Sequence, residues 1–397
     1  MDTLLEKTYS FTEASKKLDY FIKEKAHSYS KMRNFDFGST KDNFVSGLSP
    51  AITRRILTER HVVNRVLESF SFYAVEKFIQ EICWRTYWKG FLEHRPKIWD
   101  DYLHDLESLQ SQKEHQSYEE AVSGCTGIDC FDSWSRELTH KNYLHNHTRM
   151  WFASIWIHTL NLPWQLGAEL FMEKLYDADP ASNTLSWRWV AGIHTQNKNY
   201  IASAENIKKF TRGAFYPNGQ LNKNAKIIDW ENFEPENLDF QNYQKPKNID
   251  YLLIHENNLS LENISDFKYL FIQQNSLQSI SRSKNVRAYI NKALEDFKNR
   301  VTEKYTGKII PFTFENFRPI QNLIYEKKIN EIYSPYPSIG FLKEELIRIG
   351  KLKSIRFKFF CNSWDILFWP HAKKGFFKLK KQIKPIITIL NQIKLDL

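Results

Sequence analysis

The chain has 397 residues, 42% apolar and 26% charged, with a formal net charge of +10. That length suggests two domains, and the composition excludes a disordered or collagen-like chain. No apolar run reaches the 18 or so residues of a membrane span, so no membrane partner is expected. The first 25 residues mix acids with lysines and lack an apolar core, which fits neither a secretory signal nor a transit peptide. Cys83, Cys125, Cys130 and Cys361 lack the spacing of a disulfide framework or a CxxC pair. The default compartment is therefore the cytoplasm.

Taken in chain order, the first half reads as helix. Phe11, Ala14, Leu18, Phe21 and Ile22 recur at helical spacing, and Val62, Val63, Val66, Leu67, Phe70, Ala74 and Phe78 predict one longer helix stopping before Pro96. Further helices are predicted over about 146–160, 164–176 and 180–192. From Tyr216 to Lys247, prolines and asparagines break every period, as in a linker. Beyond it, Tyr251–Ile254, Tyr269–Ile272, Ile309–Phe312, Ile332–Tyr333 and Ile355–Phe360 have strand length and composition. The helical pattern Val286, Ile290, Ala293, Leu294, Phe297 and Val301 lies between two of them, which predicts a parallel α/β sheet with crossover helices. The expected organisation is a mainly α domain over 1–215, a linker over 216–248, and a smaller α/β, Rossmann-like domain over 249–397 ending in a basic helical segment. No phosphate-binding glycine fingerprint is present.

Charge is distributed unevenly. Residues 1–215 hold 27 basic and 27 acidic side chains, so the remainder carries the whole positive excess, and 351–397 alone holds 11 basic against 2 acidic. Such a segment attracts a polyanion or is simply a solvated face.

Four local patterns carry chemistry. Asp179-Pro180 reads as a helix start, with the carboxylate as N-cap. Trp187 and Trp189, two apart on that helix, point in different directions, so both cannot face one core. In His145-Asn146-His147-Thr148-Arg149-Met150 the His-x-His spacing splays the rings apart on a helix, which disfavours a metal site. There Asn146 and Met150 converge, and Arg149 could pair with Asp177. Glu81 and Trp84 share a helix face with Arg85 adjoining, a setting for a planar ligand or merely a core contact. In Ser46-Gly47-Leu48-Ser49-Pro50, Ser49 is expected at an N-cap and Pro50 at the first helical position, with free amides suited to phosphate.

Together, Tyr29-x-x-x-Arg33-Asn34, Ser46–Pro50, Glu81-x-x-Trp84-Arg85, His145-Asn146-x-x-Arg149-Met150 and Asp177-x-Asp179-x-x-x-Asn183-x-x-x-Trp187-x-Trp189 resemble the FAD-binding helical domain of the DNA photolyase/cryptochrome family. The resemblance runs from about Tyr29 to Arg212. It implies a flavoprotein in which Tyr29, Ser46, Leu48, Ser49, Arg85, Asn146, Arg149, Asp177, Asp179 and Asn183 contact FAD, with Asn183 at the flavin N5. Glu81, Trp84, Asn146, Met150 and Trp189 would form the pocket for a cyclobutane pyrimidine dimer, and Arg33 a DNA-backbone contact. Glu81, Asn146 and Asn183 would be the catalytic set. Trp187 and Trp164 resemble the first two members of the family's electron chain. The outer position falls near Ser111, with Trp156, Trp134 or a tyrosine as substitutes.

The implied activity is that of a lyase in DNA repair: blue light drives one electron from reduced FAD to the dimer in UV-damaged DNA, the ring opens and the electron returns. Histidines typical of the (6-4) branch are replaced by Asn146 and Met150, which disfavours that branch. The alternatives are a cryptochrome-like photoreceptor with FAD and no repair, and a nucleic-acid-binding module without photochemistry. The family's α/β domain normally precedes its helical one; here the order is reversed, so no antenna chromophore is assigned. Val45 and Gly47 depart from the phosphate motif. The cysteines exclude an iron-sulfur cluster by their spacing, and a monomer is favoured.

Overall fold

The structure is a computed structural model describing residues 6–38, 41–195, 198–229, 231–264, 267–329 and 331–392. A mainly helical first half precedes a five-stranded parallel sheet, as the change of apolar period predicts. The chain forms two compact units. One comprises 1–27, 46–94 and 235–397; the other comprises 28–45 and 95–234.

In the first unit, strands β1 (Tyr251–Ile254), β2 (Tyr269–Gln273), β3 (Lys308–Phe312), β4 (Glu331–Pro335) and β5 (Arg356–Phe360) lie in the order β3-β2-β1-β4-β5. Tyr251 pairs with Tyr269, and Leu252 with Tyr333, so β1 is central. Its Leu252, Leu253 and Ile254 are fully buried, which is why the strand reads as a continuous apolar run. The Lys284–Lys304, Arg318–Lys327 and Phe341–Lys353 helices supply the crossovers.

Strand order reverses between β1 and β4, where an open α/β sheet ordinarily binds ligands at the carboxyl ends. Here that place is filled from within. Glu256, two residues past β1 and fully buried, accepts hydrogen bonds from Arg282 Nη2 at 2.6 Å, Leu277 N at 2.8 Å, Gln273 Nε2 at 3.1 Å and Arg54 Nη1 at 3.4 Å. Its two arginines hold the carboxylate at about 2 against the burial that would raise it. Arg55 donates to Asp365 at 2.5 Å, and His255 Nε2 lies 2.9 Å from the Pro335 carbonyl. The Arg54–Glu256 contact joins the N-terminal helical part of this unit to its sheet, and Arg55–Asp365 joins it to the helix that follows β5.

Two expectations for the first half change. The predicted helix through Val62 and Phe78 is two helices, Glu59–Ser69 and Phe72–Glu93, because Phe70 is extended (φ −136°, ψ 148°) and breaks the hydrogen-bond ladder. The predicted helix over 146–160 is α-helical only over Asn146–Ser154, then makes a π-turn through Ile155–Thr159. After the sheet, Ser363–Phe368, Trp369–Lys373, Phe376–Lys380 and Ile383–Gln392 run helically against Phe72–Glu93. The approach is tight: a Cβ on Gly90 would lie 2.7 Å from the Trp369 ring and 2.8 Å from Ala372. Trp364 Nε1 donates to Thr86 Oγ1 at 2.9 Å. Residues 393–397 of the basic tail lie outside the described residues.

In the second unit, Trp164–Lys174 packs on Pro180–Val190, with the Trp187 ring over Gly167; a Cβ there would sit 2.3 Å from the indole. Only glycine fits beneath that ring. Among the described residues, no helix is long and apolar enough to cross a membrane.

Candidate functional site: the flavin-motif residues

The site residues expected from the sequence divide between the units. In the second, the Asn146–Ser154 helix begins at His145, whose Nδ1 accepts from His147 N at 3.2 Å. That cap uses one histidine; the His147 ring stacks on Trp151 at 4.4 Å, and its Nδ1 lies 3.0 Å from the Asn34 carbonyl. The histidines thus serve separate structural contacts, as their splayed spacing requires. Burial lowers His145 to about 4, keeping it neutral near pH 7.

Arg149, one turn further, points back to the 175–179 turn. Its Nη2 donates to Asp177 Oδ2 at 3.0 Å and its Nε to the Leu144 carbonyl at 2.9 Å. The Asp177 side chain is 3% exposed and that of Arg149 is 21% exposed, so the pair reaches solvent only through the arginine, whose guanidinium lies 5.2 Å from the centre of the Tyr143 ring. Asp179 caps the next helix, accepting from Ser182 N at 3.0 Å, with Pro180 first in the helix as expected. Asn183 is buried and donates from Nδ2 to the Ala168 carbonyl at 2.7 Å. That bond fixes the amide flip, and the carbonyl oxygen is the group left to accept from a ligand. Ser182 Oγ, Thr184 Oγ1, Trp187 Nε1 and His145 Nε2 are buried without a hydrogen-bond partner, an unusual concentration around one pair of helices.

Asn146 is exposed and Met150 half-buried, on the same helix. Tyr29 is buried at the start of a short helix, and Arg33 Nη1 donates to the Ser30 carbonyl at 2.7 Å. Trp187 is buried and Trp189 half-buried, as two positions 200° apart require. Trp189 stacks on Tyr200 at 5.6 Å. Trp164 is buried against Tyr102, ring centroids 5.6 Å apart. Trp187 meets Trp156 edge-on at 6.2 Å, and Trp156 meets the half-buried Tyr118 at 5.8 Å. Ser111 is exposed in a 3-10 turn. Trp134 stacks instead on Trp151.

In the first unit, the expected start of the helix at Ser49 shifts by one residue. The helix runs Ser49–Thr53, with Leu48 as the cap residue, so Ser49 is its first residue and Pro50 its second. Ser49 Oγ makes no capping bond; Ser46 Oγ accepts from Leu48 N at 3.4 Å, and Gly47 takes a positive φ of 61°. The error came from assigning proline to the first position by preference, when the second also leaves its missing N–H without cost.

On Phe72–Glu93, Glu81 pairs with Lys77 at 3.1 Å and is partly exposed, while Arg85 is half-buried. Trp84 lies face to face with Phe376, centroids 3.7 Å apart and planes 11° apart. The Tyr87 ring meets Phe376 edge-on at 5.6 Å. One face of Trp84 is therefore covered by the chain's own phenyl ring. The sequence signal for it was slight: two phenylalanines within a lysine run. Glu137 was also missed; burial, then the nearby Asp36 charge, raise its carboxyl to about 7.

The Arg149–Asp177 pair and the buried Asn183 amide thus lie on neighbouring helical segments. Residues 78–238 match the family described as the FAD binding domain of DNA photolyase. The chain is similar to the deoxyribodipyrimidine photo-lyases of Streptomyces griseus (33% identity, 38% of this chain and 33% of the relative), Alkalihalophilus pseudofirmus (30%, 47% and 39%) and Escherichia coli (30%, 46% and 39%). It thus spans about a third to two fifths of their length. Among solved structures, it is similar to a class III photolyase from Agrobacterium tumefaciens (28% identity, TM-score 0.43, 51% of this chain and 42% of that one). Residues 78–238 are thus similar to the FAD-binding domain of the photolyase/cryptochrome family, and in this chain the helical region comes first and the α/β sheet after it.

Proposed function

We propose that the protein is a flavoprotein that holds FAD in its helical region and uses blue light to split cyclobutane pyrimidine dimers in DNA. The carrying observation is the Arg149–Asp177 pair at 3.0 Å, reaching solvent through the arginine, on a segment that matches the FAD-binding domain. The residues fit the cofactor. A reduced flavin presents an N–H at N5, and Asn183, its own NH2 engaged by Ala168, offers a carbonyl oxygen. Arg149, with Asp177 fixing its rotamer, would stand by the ring, and Ser46, Leu48 and Ser49 would offer amides and hydroxyls to the phosphates.

When bound, FAD supplies the light-excited electron donor. The chain's part is positioning. Glu81 and Asn146 would hydrogen-bond the pyrimidine as its negative charge develops, and Trp84, Trp189 and Met150 would receive the extruded bases. Arg33 would contact the strand. Trp187 and Trp164 stand as electron carriers, and the Trp187–Trp156–Tyr118 contacts supply the aromatic continuation that Ser111 lacks.

Phe376 bears on this directly. A base cannot stack on the Trp84 face that the phenyl ring covers until 376–380 withdraws. The same contact supports the second reading, a photoreceptor with FAD and no repair. The deciding experiment illuminates FAD-loaded, reduced protein with thymine-dimer oligonucleotide under anaerobic conditions, for the native chain and for Phe376→Ala. Loss of dimers, faster in the variant, is the expected result. Bound flavin with no dimer loss in either protein supports the photoreceptor, and failure to retain flavin overturns both readings.

A further inference from the structure

Beside the Trp84 contact, the same two elements enclose a feature that no flavin chemistry uses. A cavity of about 430 Å³ lies between the first turns of Phe72–Glu93 and the 377–384 segment, lined by Phe72, Tyr73, Gln80, Phe377, Lys381 and Lys384 among others. Tyr73 is 72% exposed and Phe377 is 75% exposed, although both are large aromatic rings. Lys384 holds one of them: its Nζ lies 3.0 Å from Tyr73 Oη and 4.5 Å from the centre of that ring.

The charge around this cavity is only partly compensated. Lys378, Lys380, Lys381 and Lys384 crowd the 376–384 segment. Among the described residues from 351 onward the sole acid is Asp365, which is buried and bound to Arg55. Opposite them, Glu76 lies 3.9 Å from Lys380 and accepts from Gln80 at 2.7 Å, and Glu81 is taken by Lys77. One partly shielded carboxylate cannot balance the lysines.

We propose that this groove binds a segment of single-stranded nucleic acid, with bases stacked on Tyr73 and Phe377 and phosphates neutralised by Lys380, Lys381 and Lys384. Exposed rings beside lysines are what an unpaired strand needs, since every base has a π-face and every linkage a charge. A duplex keeps its base faces against one another and leaves such rings without a partner. The site is concave, whereas insertion into an anionic bilayer requires a protruding apolar face. The proposal rests on neither bound flavin nor a lesion.

The test uses the full-length protein in the dark with a fluorescein-labelled, undamaged oligothymidylate, followed by anisotropy over a range of salt. Tyr73→Ala and Phe377→Ala are each expected to weaken binding about ten-fold. The double change Lys381→Glu, Lys384→Glu is expected to flatten the log–log salt dependence by about 1.4. Melting temperatures report whether the folds persist, which exposed positions should ensure. Unchanged oligonucleotide affinity in both aromatic variants overturns the proposal. So does loss of binding to phosphatidylserine vesicles with oligonucleotide binding intact, which identifies a membrane surface instead. Repair activity has no bearing on these outcomes, so this proposal and the photochemical one fail independently.

Discussion

Two buried carboxylates, one in each unit, show how the same chemical group can serve opposite ends. Glu256 is closed in by two arginines, a backbone amide and a glutamine, with side chains of Arg54, Arg282 and Glu256 at most 5% exposed. Asp177 is equally buried, but its partner Arg149 reaches solvent, and unpartnered Ser182, Thr184 and Trp187 atoms lie in the helix that follows. A carboxylate enclosed by buried partners fixes the fold and is out of a ligand's reach. Where the cation of a buried pair reaches solvent, as Arg149 does, the pair stays within reach of a ligand.

The comparison breaks or sharpens by mutation. Glu256→Ala would leave two buried guanidiniums facing no anion, and should lower unfolding stability by about 3–5 kcal/mol in denaturant titration. Arg149→Ala also takes the cation from a buried carboxylate and should lower stability, by less because Arg149 is 21% exposed, and it should in addition weaken FAD retention by on the order of ten- to a hundred-fold in equilibrium dialysis, as expected for a charge-assisted hydrogen bond. If the two variants exchange these phenotypes, the distinction between a sealed pair and one that reaches solvent fails.

The smallest effect concerns Glu137. Its carboxyl rises from 4.5 to about 7 on folding, so between those values the folded chain holds a proton that the unfolded chain has released. Stability from this group therefore falls as pH rises through that window. Glu137→Gln should melt at the native temperature near pH 5 and a few degrees above it near pH 8 (both approximate settings). A difference independent of pH would show that the group is not buried as described.

Much of this was legible in local pattern. The Asp179 cap and the divergence of Trp187 from Trp189 follow from helix geometry over a few residues, and β1 through β5 from short apolar runs. The first residue of the Ser49–Thr53 helix was misplaced because proline tolerates either of two positions there. Spacing could not tell Trp156 from Trp134, since both are apolar positions on helical segments; the structure sets Trp156 edge-on to Trp187 and Trp134 against Trp151.

The sequence by itself determined which segments fold as helix or strand, where the net positive charge gathers, and the family that the helical region resembles. These depend on periodicity and on residue types close together in the chain. Only the tertiary structure decided that Phe376 covers Trp84, that Glu256 seals the crevice beside β1 and that Tyr73 faces a lysine-rich groove. Each of those contacts joins residues some 200 to 300 positions apart. Packing over such separations is set by the shape of whole buried surfaces, which no local period encodes.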